Sequence, residues 1–162
     1  MIGIILAGCL IATIIVSLIL IVRHSGESPA SPFTAKTLAA NNFSLYYPTR
    51  LPSGYSIDDA SVSAPESGVV VYTIKSKTGK KIYISEQARP AAFDFGGYYK
   101  KFHGLTEHIM TSGTIATGYI DDGQTAVGSL VIGKTWVFVN TPANTVPLSS
   151  LADVLGGLAV SH

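Results

Sequence analysis

His103 and His108 stand five residues apart, with Glu107 beside the second. Zinc hydrolysis of the zincin kind uses two histidines at i and i+4 on one helix, with a glutamate between them as base. HGLTEH has the residue types but not the spacing, and it reads as a strand in which positions 103 and 108 face opposite sides. His24 and His162 suggest no chemistry. Ser129, within VGSLVIG, is the candidate nucleophile. The G-x-S-x-G elbow is missing there, and the run continues as a strand instead of turning into a helix. Asp58-Asp59 and Asp121-Asp122 are adjacent carboxylate pairs. Neighbours on a strand point apart, and in DDG the acids serve a turn, so neither pair is set up as the carboxylates of a glycosidase, roughly 5–10 Å apart across a sugar. Tyr98-Tyr99-Lys100-Lys101-Phe102 mixes base-stacking and phosphate-pairing types. At a net charge of +1 it reads instead as a solvated helix face whose lysine stems lie on apolar surface. The sequence therefore assigns no catalytic, cofactor-binding or metal-ligating residue, and it points to no cofactor and no nucleic-acid partner.

The elements that must hold these residues divide the chain in three. Of 162 residues, 47% are apolar and only 13% charged, with 11 basic against 10 acidic side chains. That charged fraction is well below the roughly 25% of an ordinary soluble domain. Ile2–Val22 contains no charged residue. At about 1.5 Å rise per residue it reaches roughly 30 Å, the thickness of a bilayer core. It is expected to be a transmembrane signal anchor, residues 1–22. A cleaved signal peptide would have a shorter apolar region behind a basic start. Leu6-Ala7-Gly8-Cys9 matches a lipobox in its letters, but only eight residues precede the cysteine and more apolar span follows it. Cys9 is the single cysteine, so no intramolecular disulfide forms. Arg23 and His24 lean toward a cytoplasmic C-terminal part, whereas the surface composition favours an extracytoplasmic one.

Residues 23–42, rich in Ser, Pro and Ala, read as a flexible linker in which Pro29 and Pro32 stop the membrane helix from continuing. Residues 43–162 then read as one extracytoplasmic domain. FSLYY, Tyr55–Ser63 and VVVYTIKS are strand signals, and KTGK turns the last into KIYISEQ. In KIYISEQ, Ile82, Ile84 and Gln87 frame a half-buried alternation, with Lys81, Tyr83 and Ser85 on the opposite face. A short helix is expected around Phe95–Phe102. Four strands follow, Glu107–Thr111, Thr114–Ile120, Thr125–Ile132 and Thr135–Asn140, separated by SG, DDG and GK. Leu148, Leu151, Val154, Leu155 and Leu158 have helical spacing behind Pro147, with Ser149 or Ser150 as cap and a sheet to lie on. The sum is an α+β fold: a transmembrane helix, then a curved antiparallel sheet packed with one or two helices.

LPSGY (Leu51–Tyr55), the hairpin ending in Gln87, and the Gly123-containing hairpin leading to Trp136 and the helix Leu148–Leu158 together carry a resemblance. The chain resembles a bacterial domain-of-unknown-function family found on membrane-anchored extracytoplasmic proteins. That family is similar in fold to periplasmic lipoprotein carriers and to envelope-stress regulators that bind anti-sigma factors. The resemblance spans most of Phe43–Val160, favours the extracytoplasmic side, and brings no catalytic residues with it. It implies a single-pass membrane protein whose non-enzymatic domain binds a protein, peptide or lipid. Alternating residues of Val69–Ile74, Ile82–Ile84 and Trp136–Val139 would line the apolar site. A structural subunit of an envelope complex, or an envelope hydrolase using His103 or His108, are the alternatives.

Overall fold

Runs of β-branched and aromatic residues, broken by glycine turns, fold in the order α1 (Ala35–Ala39), β1 (Tyr46–Pro48), β2 (Tyr55–Glu66), β3 (Val69–Ser76), β4 (Lys81–Ala88), α2 (Phe95–Tyr99), β5 (His103–Met110), β6 (Gly113–Ile120), a 3-10 turn at Asp121–Gly123, β7 (Thr125–Ile132), β8 (Thr135–Pro142), α3 (Leu148–Gly156) and β9 (Leu158–Val160). The computed structural model describes residues 29–162. The expected membrane span Ile2–Val22 lies outside the described residues, and among those described no helix is long and apolar enough to cross a membrane.

Seven strands form one open antiparallel sheet in the order β2-β3-β4-β8-β7-β6-β5, while β1 and β9 pair separately. The architecture is α+β, as expected. Two meanders, β2–β4 and β5–β8, meet where β4 pairs with β8, from Tyr83 opposite Asn140 to Ala88 opposite Thr135. Reaching β5 from β4 requires the chain to cross three strands. It does so through Arg89–Phe102, which carries α2 over one face of the sheet.

The other face holds the main core. Val70, Tyr72 and Ile74 of β3, Ile82 and Ile84 of β4, and Val137 and Val139 of β8 are buried against Leu151, Val154 and Leu155 of α3 and against Leu45 and Phe33. Glycine permits the close approach on both faces. A Cβ on Gly128 would stand 2.8 Å from Val139 Cγ2 and 2.9 Å from Leu155 Cδ1, and one on Gly118 would stand 2.7 Å from Phe102 Cβ. Either contact is inside the packing distance of carbon atoms, so α3 and the crossover both press on sheet positions without side chains.

Three expectations are corrected. Phe33 is only 8% exposed and meets Tyr72 edge-on at 5.4 Å between ring centres. The stretch read as flexible linker, residues 23–42, is therefore packed structure from Phe33 onward, with Thr34 capping α1 by accepting from Thr37 N. The terminal helix stops at Gly156, and Leu158 enters β9 opposite Pro48, because Gly157 turns the chain. No serine caps that helix: Pro147 holds the cap position without a side-chain bond.

The register defines two ends of the sheet. At one end lie the start of β3, the end of β4, the β7–β8 turn and the β5–β6 turn, with Met110 opposite Gly113 and Ile132 opposite Thr135. The chain arrives at this same end. Ser44 O accepts from Thr135 Oγ1 at 2.7 Å, Leu45 O accepts from Ser161 N at 2.8 Å, and Ser161 Oγ meets Ser31 Oγ at 2.6 Å. The β3–β4 turn, Lys77–Lys80, is at the opposite end.

Candidate functional site

On the α2 side the sheet face is covered over only half its width. Above β6, β7 and β8 the crossover lays down a cluster of aromatic rings. Phe93 stands 5.1 Å from Trp136 and 5.5 Å from Tyr98, and Phe95 meets Trp136 edge-on at 5.3 Å. Asp94 starts the helix locally, its Oδ1 accepting from Gly97 N at 2.9 Å, which satisfies one of the free N–H groups of the first turn. Arg89 lies over the Phe95 ring at 5.7 Å, a cation–π contact that ties the start of the crossover to its helix. Among the described residues nothing comparable covers the sheet over β3 and β4. Val71, Thr73, Tyr83, Ser85 and Asn140 line a shallow hollow there, about 460 Å³, with Ser61 at its rim. A second hollow, about 610 Å³, opens between Phe93, Tyr98, Lys101 and Trp136. Phe138 lies between the two on β8, opposite Ser85 and with its ring 6.3 Å from that of Trp136.

Ser129, the candidate nucleophile, holds this aromatic cover in place. Its buried hydroxyl accepts from Trp136 Nε1 at 2.8 Å and shares a hydrogen bond with Tyr99 Oη at 3.2 Å. Both partners are aromatic polar tips, so the serine fixes the indole and anchors the crossover. Burial raises the phenol pKa values of Tyr98 and Tyr99, which keeps both hydroxyls protonated and able to donate.

His103, Glu107 and His108 all lie on the exposed edge strand β5. The register shifts between His103 and Thr106, where Gly104 takes φ +62°. This bulge alters the expected alternation. His103 pairs with Tyr119 and His108 with Ile115, positions four apart on β6 and hence on one face of the sheet. The two histidines share a face, contrary to the expectation from continuous alternation, yet they are about four strand residues apart, roughly 13 Å. Among the described residues no group of three or more His, Cys, Asp or Glu gathers as metal ligands. Asp58 pairs with Lys75 at 2.9 Å, and Asp121 accepts from Thr125 Oγ1 at 3.2 Å within its turn. Lys100 and Lys101 are exposed, whereas Tyr99 and Phe102 are buried.

Sequence reading missed Glu86. The apolar phase of β4 runs Ile82, Ile84, Glu86, and not to Gln87; Glu86 is fully buried. Its Oε2 accepts from Tyr46 N at 2.8 Å, while Oε1 has no hydrogen-bond partner. Burial is the main cause that pushes its pKa up to about 8, against the lowering effect of the Tyr46 N–H bond. Tyr72 is raised as well, chiefly by burial and then by the neighbouring carboxyl, and its hydroxyl donates to Tyr46 O at 2.9 Å.

The apolar face that the sequence marked as a ligand site is already occupied. Val70, Tyr72, Ile74, Ile82, Ile84, Val137 and Val139 are fully buried under the chain's own α3, Leu45 and Phe33. Exposed aromatic surface lies on the opposite side, where Tyr83 is 44% and Phe93 38% exposed. Comparison with protein-family models, with curated proteins and with solved structures gave no match for this chain.

Proposed function

We propose that this chain is a single-pass, membrane-anchored, extracytoplasmic binding domain without catalysis, and that it takes a protein or peptide segment on the half-covered face of its sheet. One observation carries the reading: an open hollow over β3 and β4 lies on the same sheet face as a partly exposed aromatic cluster that a buried serine hydrogen-bonds. Aromatic residues enriched over a shallow, mixed polar surface are what protein interfaces use, because large stiff rings bury area at small entropic cost. A lipid tail needs enclosure. This hollow is open and carries Thr73, Ser85, Asn140 and Ser61 among its lining residues, which favours a peptide-like partner with its own hydrogen-bonding groups. The extracytoplasmic side is supported by the low charge of the surface and by the resemblance to membrane-anchored bacterial domains.

The test is photocrosslinking with the full chain in its native membranes. Benzoylphenylalanine replaces Tyr83 in the hollow, or Lys77 at the far turn as the comparison. A discrete protein adduct at position 83 and none at 77 is expected. Additions of lipid mass alone at 83 would move the site to a lipid ligand, and equal labelling at both positions, or none at either, would overturn the proposal.

A further inference from the structure

The edge strand β5 and its turn present apolar surface to solvent, led by Ile109, beside Met110, whose sulfur also borders Gly156 of α3. Ile109 is 90% exposed and Met110 39%, whereas Thr114 and Gly113, paired with them on β6, are half-buried and only the middle of β6 is buried. Both residues sit at the β5–β6 turn, the end of the sheet at which the chain arrives through Ser31, Ser161, Leu45 and Ser44. The apolar run Ile2–Val22 stops seven residues before Pro29, the first described residue. Seven extended residues span at most about 25 Å, so an anchored chain holds this end of the domain within that distance of the lipid surface. The β3–β4 turn is a further strand length away, roughly 27 Å for eight residues, and could touch the bilayer only with the tether stretched to its limit.

We infer that the domain rests on the bilayer it is tethered to, with Ile109 and Met110 entering the interfacial layer. The occupant of this exposed apolar turn is the lipid surface itself. Two apolar side chains are too few to hold a free domain on lipid, but the tether makes the contact intramolecular and raises its effective concentration. The hollow over β3 and β4, toward the opposite edge of the sheet, is then left open to a partner arriving from the aqueous side.

The inference rests on the anchored reading, and the experiment separates the two. The full chain carries Cys9→Ala together with either Ile109→Cys or Thr78→Cys, labelled with an environment-sensitive fluorophore and reconstituted into phosphatidylcholine vesicles with a nitroxide on the lipid headgroup. Ile109 is almost wholly exposed, so its replacement leaves the core intact. Flotation first reports whether the chain is anchored. Given flotation, quenching at position 109 is expected to exceed that at 78 several-fold. Equal quenching at the two positions, or more at 78, overturns the resting orientation while leaving the anchor standing. Shielding at 109 that grows with chain density and not with nitroxide content assigns the turn to a second copy and also overturns it. A chain that fails to float removes the anchored reading and this inference with it.

Discussion

The two faces of the seven-stranded sheet are built by opposite strategies. One is closed with aliphatic side chains from β3, β4 and β8 against α3. The other is roofed by aromatic rings on a crossover with two glycines in its helix, over half the sheet only. The contrast teaches that the sheet's stability is concentrated on one of its faces. Aliphatic interdigitation fixes the fold, while partly exposed rings held by the Ser129 hydroxyl leave the rest of the second face open.

Breaking the closed face costs the most. Leu151→Ala and Ile84→Ala each delete a fully buried side chain and are expected to lower stability by about 3 kcal/mol, measured by denaturant unfolding of the full chain. Phe33→Ala belongs with them at about 3 kcal/mol, which would place residues 33–42 inside the cooperative unit; an unchanged midpoint would return them to the linker.

The second effect depends on pH. Unfolded, Glu86 titrates near its ordinary value of 4.5, and folded near 8. Between these values the folded chain keeps a proton that the unfolded chain releases, so stability is complete below about 4.5, falls as the pH rises, and levels off above about 8. The loss is on the order of a few kcal/mol. Glu86→Gln keeps an acceptor for Tyr46 N and cannot ionise. It is expected to flatten that slope and to exceed the parent in stability at pH 9. Equal slopes in the two proteins would show that the carboxyl is not held protonated.

On the open face the effects shrink. Ser129→Ala leaves the indole N–H of Trp136 without its acceptor, a cost of about 1–2 kcal/mol. Because Trp136 is the only tryptophan, a shift in its emission reads the loosening directly. Phe93→Ala, at a ring already partly in solvent, is expected to change stability by less than about 1 kcal/mol while abolishing the adduct formed from position 83. A large stability loss there would erase the distinction between the faces.

Much of the sheet was legible because its strands are short, alternate cleanly and turn on KTGK, DDG and GK, and α2 was visible from its run of aromatics. The pairing of β4 with β8 was not, since no local pattern specifies which of two meanders meets which. Glu86 escaped because a carboxylate on the apolar phase of β4 looks like the end of the alternation, not its continuation. His103 and His108 were given opposite faces because Gly104 inserts a bulge that periodicity does not foresee. Phe33 is a lone aromatic among serines and prolines, and β9 is three residues long, too short for any period to register. The aromatic site was present in the sequence as Phe93, Phe95, Tyr98 and Trp136, but the partition of the sheet into a filled face and an open one required the crossover's path.

The small ribbon of β1 and β9 joins residues far apart in the chain, Tyr46 with Val160 and Pro48 with Leu158. Such a pairing works as a latch. A nascent chain emerging from the ribosome has its first strand long before the partner that secures it, so β1 stays unfastened until synthesis has passed β9. Tension applied from the N-terminal side meets the Phe33–Tyr72 contact before it reaches this ribbon, which is next in line behind it.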